Sequence, residues 1–199
     1  MSPRRQEKFW RVIDKIQPDV TVIIEDVIDS HNISAVLRSC DAVGIKDVYI
    51  VHNARTTYCK IDKHLRMGQK VSGRIMKWMN IHYFDSIATC FEVVRQKYDK
   101  IYTTHLSDAS VSLYDMDLTE SVALVFGNEL AGISPEALEL SDGNFIIPQV
   151  GMTQSLNISV ACAVTLFEFY RQREKAGKYD APLLDQTTRQ EIFDEWAKK

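Results

Sequence analysis

The chain has 199 residues, of which 45% are hydrophobic and 26% charged, and its formal net charge is −3. That length holds one sizeable core with a small appendage, and the composition is that of an ordinary globular protein. A uniformly basic nucleic-acid binder is excluded, and no apolar run reaches the roughly 20 residues of a bilayer-spanning helix.

The N-terminus, "MSPRRQEKFWRVIDK", carries charges throughout and no apolar centre, so a secretory signal is not expected and the cytoplasm is the expected compartment. Its cations are Arg4, Arg5, Lys8, Arg11 and Lys15, and residues 1–19 read as a basic N-terminal helix. "VTVIIEDV" (20–27) reads as a buried strand, a helix follows near 33–43, and "DVYIV" (47–51) is a second strand. A long irregular stretch then holds Lys60, Lys63, Arg66, Lys70, Arg74 and Lys77 against one acid, Asp62. Either basic patch alone reads as a solvated face; together they suggest a polyanionic partner.

Strand and helix patterns continue to alternate: "IHYF" (81–84), a helix near 86–98, "KIYTT" (100–104), "VALVF" (122–126), a helix at 135–140 opened by Pro135, and "NFIIP" (144–148). "SLNISVACAVTLFEFYRQRE" (155–174) is a long apolar helix, and Thr188 with Glu191 resembles a capping box opening a terminal helix. The alternation predicts an α/β fold with a parallel sheet and helices on both faces. The best boundary lies in 176–185, giving a main domain over 20–175 and a short C-terminal extension over 176–199.

Four cysteines (Cys40, Cys59, Cys90, Cys162) form no CxxC pair, and the five histidines show no metal-ligand spacing, so reduced thiols and no metal are expected. GxGxxG, GxxxxGK[ST] and GxSxG are all absent, which lowers dinucleotide, nucleoside-triphosphate and α/β-hydrolase readings.

Three stretches carry polar residues suited to a site. In "SHNISAVLRSCDAVG", Ile33, Val36, Leu37, Cys40 and Val43 make an apolar stripe, and His31, Ser34, Arg38 and Asp41 make a polar one. Asn32 is placed to cap this helix; a capped helix with a solvated arginine explains the segment equally well. In "LVFGNELAGIS", a strand runs into Gly127, Asn128 and Glu129, either a ligand-facing turn or an exposed acid on an ordinary one. In "IPQVGMTQSLNISVA", Ser155 or Asn157 opens the apolar helix, as a cap or as one wall of a ligand site.

These three segments, in this order, resemble the SPOUT-class RNA 2′-O-ribose methyltransferases over about residues 4–174. Within that family "QPDVTVIIEDVIDSHNISA" and "RQREKAGKY" are similar to the enzymes that modify the tRNA D-loop guanosine at position 18. The alternatives are ribosomal RNA or a tRNA wobble nucleotide as substrate, or an RNA-binding module without catalysis.

The resemblance implies a C-terminal trefoil knot that binds S-adenosyl-L-methionine as methyl donor without a metal, and a homodimer whose sites draw on both subunits. It implies catalytic roles for Asn32, Arg38, Glu129, Ser155 and Asn157, donor contacts at Thr104, Gly127, Ile147 and Leu156, and tRNA contacts at His31, Arg4, Arg5, Arg11, Arg171 and Arg173. Arg38 would act either as general base or as a charged clamp. The helix over 155–170 is apolar almost all round, which fits a subunit interface or a central place in a monomer's core. The tail after Tyr179 is short and acid-bearing, a departure from the longer extension common in the D-loop enzymes.

Overall fold

The computed structural model describes residues 1–53, 77–153 and 155–199. Cys59, His64 and the basic cluster from Lys60 to Arg74 lie outside the described residues.

Seven strands form one sheet: β1 Val20–Glu25, β2 Asp47–Val51, β3 Asn80–Phe84, β4 Lys100–Thr104, β5 Val111–Ser112, β6 Val122–Phe126 and β7 Gly143–Ile146. Their spatial order is β3-β2-β1-β6-β4-β7-β5, and every pairing is parallel. β1 lies at the centre, paired with β2 on one side and β6 on the other, and all six of its residues are buried. Burial on both faces explains why "VTVIIE" reads as a continuous apolar run rather than an alternating one.

The helices are α1 Pro3–Ile13, α2 Ser30–Ala42, α3 Ile87–Val94, α4 Pro135–Leu140, α5 Ile158–Lys175 and α6 Gln186–Ala197. α2 and α5 pack together on one face of the sheet, where Val36, Leu37, Cys40, Cys162, Leu166 and Phe169 meet Val22, Ile24 and Leu124. α3 and α4 cover the other face over Ile23, Tyr49, Ile101 and Val125. The expected two-faced parallel α/β architecture is therefore present. α1 and α6 pack on each other through Phe9, Ile13, Ile192 and Trp196, with Trp10 stacked on Phe193 at 4.7 Å.

Helix starts differ from the sequence expectation, and the capping side chains say why. α2 begins at Ser30 because Asp29, not Asn32, is its cap and accepts the His31 backbone N–H at 2.8 Å. α5 begins at Ile158 with Asn157 as its cap, one of the two residues expected to open it. α6 is capped by Asp185, which accepts the Thr188 N–H at 3.0 Å, so the Thr188–Glu191 box does not form its start. The two-residue β5, too short to show alternation, had no sequence signal. The polar stripe on α2 is also split: His31, Arg38 and Asp41 are exposed, but Ser34 is buried.

At the amino ends of the strands, Asp47 accepts hydrogen bonds from His82 Nε2 at 2.9 Å, Asn80 Nδ2 at 3.0 Å and Lys97 Nζ at 2.9 Å. Burial works to raise its carboxyl, but these donors outweigh burial and bring it down to about 2. A carboxyl depressed in the folded state adds stability above its unfolded value, near 4, and loses it as the pH falls toward 2. Wild type is therefore expected to lose about 2 kcal/mol more than Asp47→Asn between pH 5 and pH 2, measured by urea denaturation.

Candidate functional site

The carboxyl ends of the strands in an open parallel sheet are where ligands bind, and all three sequence segments arrive there. β6 ends at Phe126 and the chain turns sharply at Gly127. The turn folds back on itself: the Asn128 N–H donates to the Gly132 carbonyl at 3.0 Å, and the Gly132 N–H donates to the Asn128 carbonyl at 2.8 Å. A Cβ on Gly127 would lie 2.3 Å from the Gly132 oxygen, which explains glycine there by close approach. Gly127→Ala is expected to destabilise the protein by about 1–3 kcal/mol through overpacking, read from the shift in thermal unfolding.

Asn128 organises this hairpin, a role the sequence reading left unassigned. Its Oδ1 accepts the backbone N–H of Leu130 at 2.8 Å and of Ala131 at 2.9 Å, and its Nδ2 donates to the Asp26 carbonyl at 2.8 Å. An asparagine that follows a glycine and opens a tight turn was the available signal. Glu25 braces the hairpin from behind: its Oε2 accepts the Ser134 N–H at 3.0 Å and its Oε1 accepts the Ser134 hydroxyl at 2.6 Å. Burial pushes the Glu25 carboxyl above its ordinary value, opposed by the bonds from Ser134 and Asn53. Asp26, with φ +53°, bends the chain out of β1 at this point.

A cavity of about 690 Å³ opens beside the hairpin. Thr104, Gly127, Ile147 and Leu156 all line it, as do Glu129 and Ser155. The Thr104 hydroxyl donates to the Val125 carbonyl at 3.1 Å, so that hydroxyl is engaged within the sheet.

Beside the cavity, three segments join through an amide relay. Asn32 Nδ2 donates to Glu129 Oε1 at 2.6 Å, and Asn157 Nδ2 donates to Asn32 Oδ1 at 3.2 Å. Asn157 Oδ1 in turn accepts the Ser159 N–H at 2.9 Å and the Ser159 hydroxyl at 2.6 Å. Residues 32, 129 and 157 are thus brought together by the fold, and Asn32 serves this relay instead of capping α2.

Arg38 is not in this relay and does not line the cavity. Six residues beyond Asn32 on the same helix, it sits about 120° around the axis and about 9 Å along it. It is exposed and has no hydrogen bond or ion pair among the described residues. His31 is exposed at the start of α2. Arg4, Arg5 and Arg11 are exposed on α1, with Arg5 lying over the Phe9 ring at 5.2 Å. Arg171 is exposed and pairs with Glu168 through Nε at 2.8 Å and an Nη at 2.7 Å.

Arg173 contradicts its expected role. Its side chain is 0% exposed and grips Asp19 through both Nη atoms at 2.6 and 2.8 Å. Its other donors reach Gln17 and the carbonyls of Leu118, Thr119 and Glu120. No N–H of the guanidinium is left for a phosphate, so Arg173 is a structural clamp and not an RNA contact.

Residues 19–167 match the model of the SpoU rRNA methylase family. The chain is 38% identical to the tRNA (guanosine(18)-2′-O)-methyltransferase of Thermus thermophilus over 197 residues, covering 98% of this chain and 96% of that protein. It is 35% identical to the enzyme of the same name from Escherichia coli K12, covering 90% of this chain and 75% of that protein. Among solved structures, the TrmH/SpoU tRNA modifying enzyme of Aquifex aeolicus superposes with a TM-score of 0.83 at 37% identity, covering 98% of this chain and 95% of that one.

Proposed function

The chain belongs to the SpoU rRNA methylase family, and from that premise we propose that it transfers a methyl group from S-adenosyl-L-methionine to the ribose 2′-OH of guanosine 18 in the tRNA D-loop. The observation that carries this reading is the relay Glu129–Asn32–Asn157, which assembles polar groups from three distant segments at the edge of a ligand-sized cavity. A drug-sized ligand needs a concavity of about 300–1,000 Å³ with mostly apolar walls and a few fixed polar groups. Ile147 and Leu156, with the backbone at Gly127, suit the donor in these terms.

The donor, when bound, supplies a methyl group already activated on a sulfonium. The protein's task is then to align the attacking hydroxyl, exclude water and handle one proton. Glu129, aimed by Asn32, shapes the place where the ribose meets the donor. Ser155 lines the cavity next to Leu156 and offers a hydroxyl to the nucleoside. Arginine ordinarily stays protonated, and neutralising one at pH 7 costs roughly 8 kcal/mol. The reading that fits an exposed, unengaged Arg38 is a charged clamp that holds a phosphate and stabilises the developing alkoxide.

The protein acts as a homodimer in this reading. Val160, Phe167 and Tyr170 recur at i, i+7 and i+10 on α5 and are 47%, 54% and 37% exposed, an apolar stripe that a second copy would cover. Arg38 then serves a cavity other than the one its own chain lines. Light scattering at micromolar protein tests this, and a monomer overturns it. The knot belongs to the same proposal, supported by family membership, with residues 20–175 as the catalytic unit and the flanking helices as the tRNA-gripping extensions. His31, Arg4, Arg5, Arg11 and Arg171 make the tRNA-contacting set. The protein works in the cytoplasm, where its tRNA substrate is processed; no helix among the described residues is long and apolar enough to cross a membrane.

The test is transfer from methyl-labelled S-adenosyl-L-methionine to a tRNA transcript, followed by nucleoside mapping. Label at guanosine 18 supports the reading. Label at another tRNA position, or only in ribosomal RNA, overturns the substrate; no label in either overturns the activity.

A further inference from the structure

We infer that Ser159 is a positioning residue for methyl transfer: its hydroxyl locks the amide plane of Asn157 and so holds the geometry of the relay that ends on Glu129. The inference rests on the reading that Asn32, Asn157 and Glu129 serve that transfer.

Ser159 is the second residue of α5 and does not line the cavity, so it acts through its neighbour. As helix cap, Asn157 accepts the Ser159 backbone N–H at 2.9 Å, a bond that any residue but proline at 159 supplies. The Ser159 hydroxyl adds a second bond to the same oxygen at 2.6 Å, which only serine or threonine supplies in this geometry. An amide oxygen has two lone pairs, and here both are filled. With one bond on the oxygen and a longer one, at 3.2 Å, from its NH₂ to Asn32, the amide keeps room to tilt; the hydroxyl's second bond to the oxygen narrows that tilt.

The consequences run outward in order. With its oxygen engaged, Asn157 presents only its NH₂ to Asn32, at 3.2 Å. Asn32 must then offer its oxygen to Asn157 and its NH₂ to the Glu129 carboxylate, at 2.6 Å. The backbone N–H of Ser159 is an obligate donor and an ionised carboxylate an obligate acceptor, so the relay has one direction. Glu129 sits on an exposed hairpin, and among the described residues the Asn32 bond is the contact that ties its carboxylate to the rest of the site. If Ser159 merely capped α5, its hydroxyl would affect stability and leave the rate alone.

The experiment compares wild type, Ser159→Ala and Ser159→Thr in single-turnover methyl transfer to guanosine 18. Alongside, calorimetry gives the dissociation constants for S-adenosyl-L-methionine and for tRNA, and NMR gives the exchange of the Asn157 side-chain NH₂ with water. Ser159→Ala is expected to slow transfer about ten-fold, the effect of one lost hydrogen bond, with both dissociation constants unchanged. Ser159→Thr is expected to restore the rate. The Asn157 NH₂ is expected to exchange slowly in wild type and Ser159→Thr and faster in Ser159→Ala. A wild-type rate in Ser159→Ala, a loss that threonine fails to recover, or equal amide exchange in all three proteins overturns the inference. If wild type itself leaves guanosine 18 unmodified, the substrate reading fails separately, and amide exchange alone decides whether Ser159 locks the relay.

Discussion

Arg38→Ala is expected to lower the rate of methyl transfer about 10³-fold, the loss seen when a group that meets charge only in the transition state is removed. The binding of S-adenosyl-L-methionine is expected to stay at the wild-type level, because Arg38 is absent from its own chain's cavity lining and, at the other chain's cavity, is assigned to the phosphate and the developing alkoxide rather than to the donor. Calorimetry for the donor and single-turnover kinetics for transfer separate the two effects. An equal loss in both would break the division between the arginine and the cavity. Arg38→Lys distinguishes clamp from base. A lysine keeps the charge but loses the planar fork that grips phosphate through two bonds. The clamp predicts a reduced rate that is flat between pH 6 and pH 8.5; a base predicts a rate that rises with pH as lysine loses its proton.

Arg173→Ala is expected to cost about 3–5 kcal/mol of stability, the cost of breaking a buried ion pair by removing one partner. The loss leaves Asp19 without its partner and strips a donor from the carbonyls of Leu118, Thr119 and Glu120. Arg171→Ala, two residues earlier, is expected to leave the melting temperature within a degree or two while weakening tRNA binding by a few-fold, since surface pairs contribute only about 0–1 kcal/mol. Thermal melts and a tRNA titration on each variant check the contrast. If Arg171→Ala unfolds the protein and Arg173→Ala does not, the assignment is reversed.

These two arginines show where sequence reading ends. Residues two apart on a helix point about 200° apart, so one of the pair must face inward if the other faces out. Periodicity could not say which, because α5 is apolar on nearly every side and the outward stripe at Val160, Phe167 and Tyr170 hides the inward one. The strands were legible because a parallel sheet covered on both faces demands unbroken apolar runs. Their order was not, since β1 pairs with β6 about a hundred residues away. At "DSHN" several residues are able to cap α2, and local rules favour none of them strongly. Asp29 takes the cap, and the Asn32 side chain goes instead to Glu129, 97 residues beyond Asn32. The candidate site was legible as three separate segments with the right chemistry; the relay that joins them was not.

The strand order also bears on how the chain is made. β1 is synthesised early, yet its second neighbour, β6, is complete only at Phe126. For the interval between, a nascent chain on the ribosome holds "VTVIIE" as a bare strand edge, β-branched and nearly uncharged, the kind of segment that recruits other chains. Asn157 and Ser159 emerge later still, so no partial product carries the complete relay. Vectorial synthesis thus delays the complete relay until Ser159 has emerged, and until β6 arrives it leaves the β1 edge open to pairing with other chains.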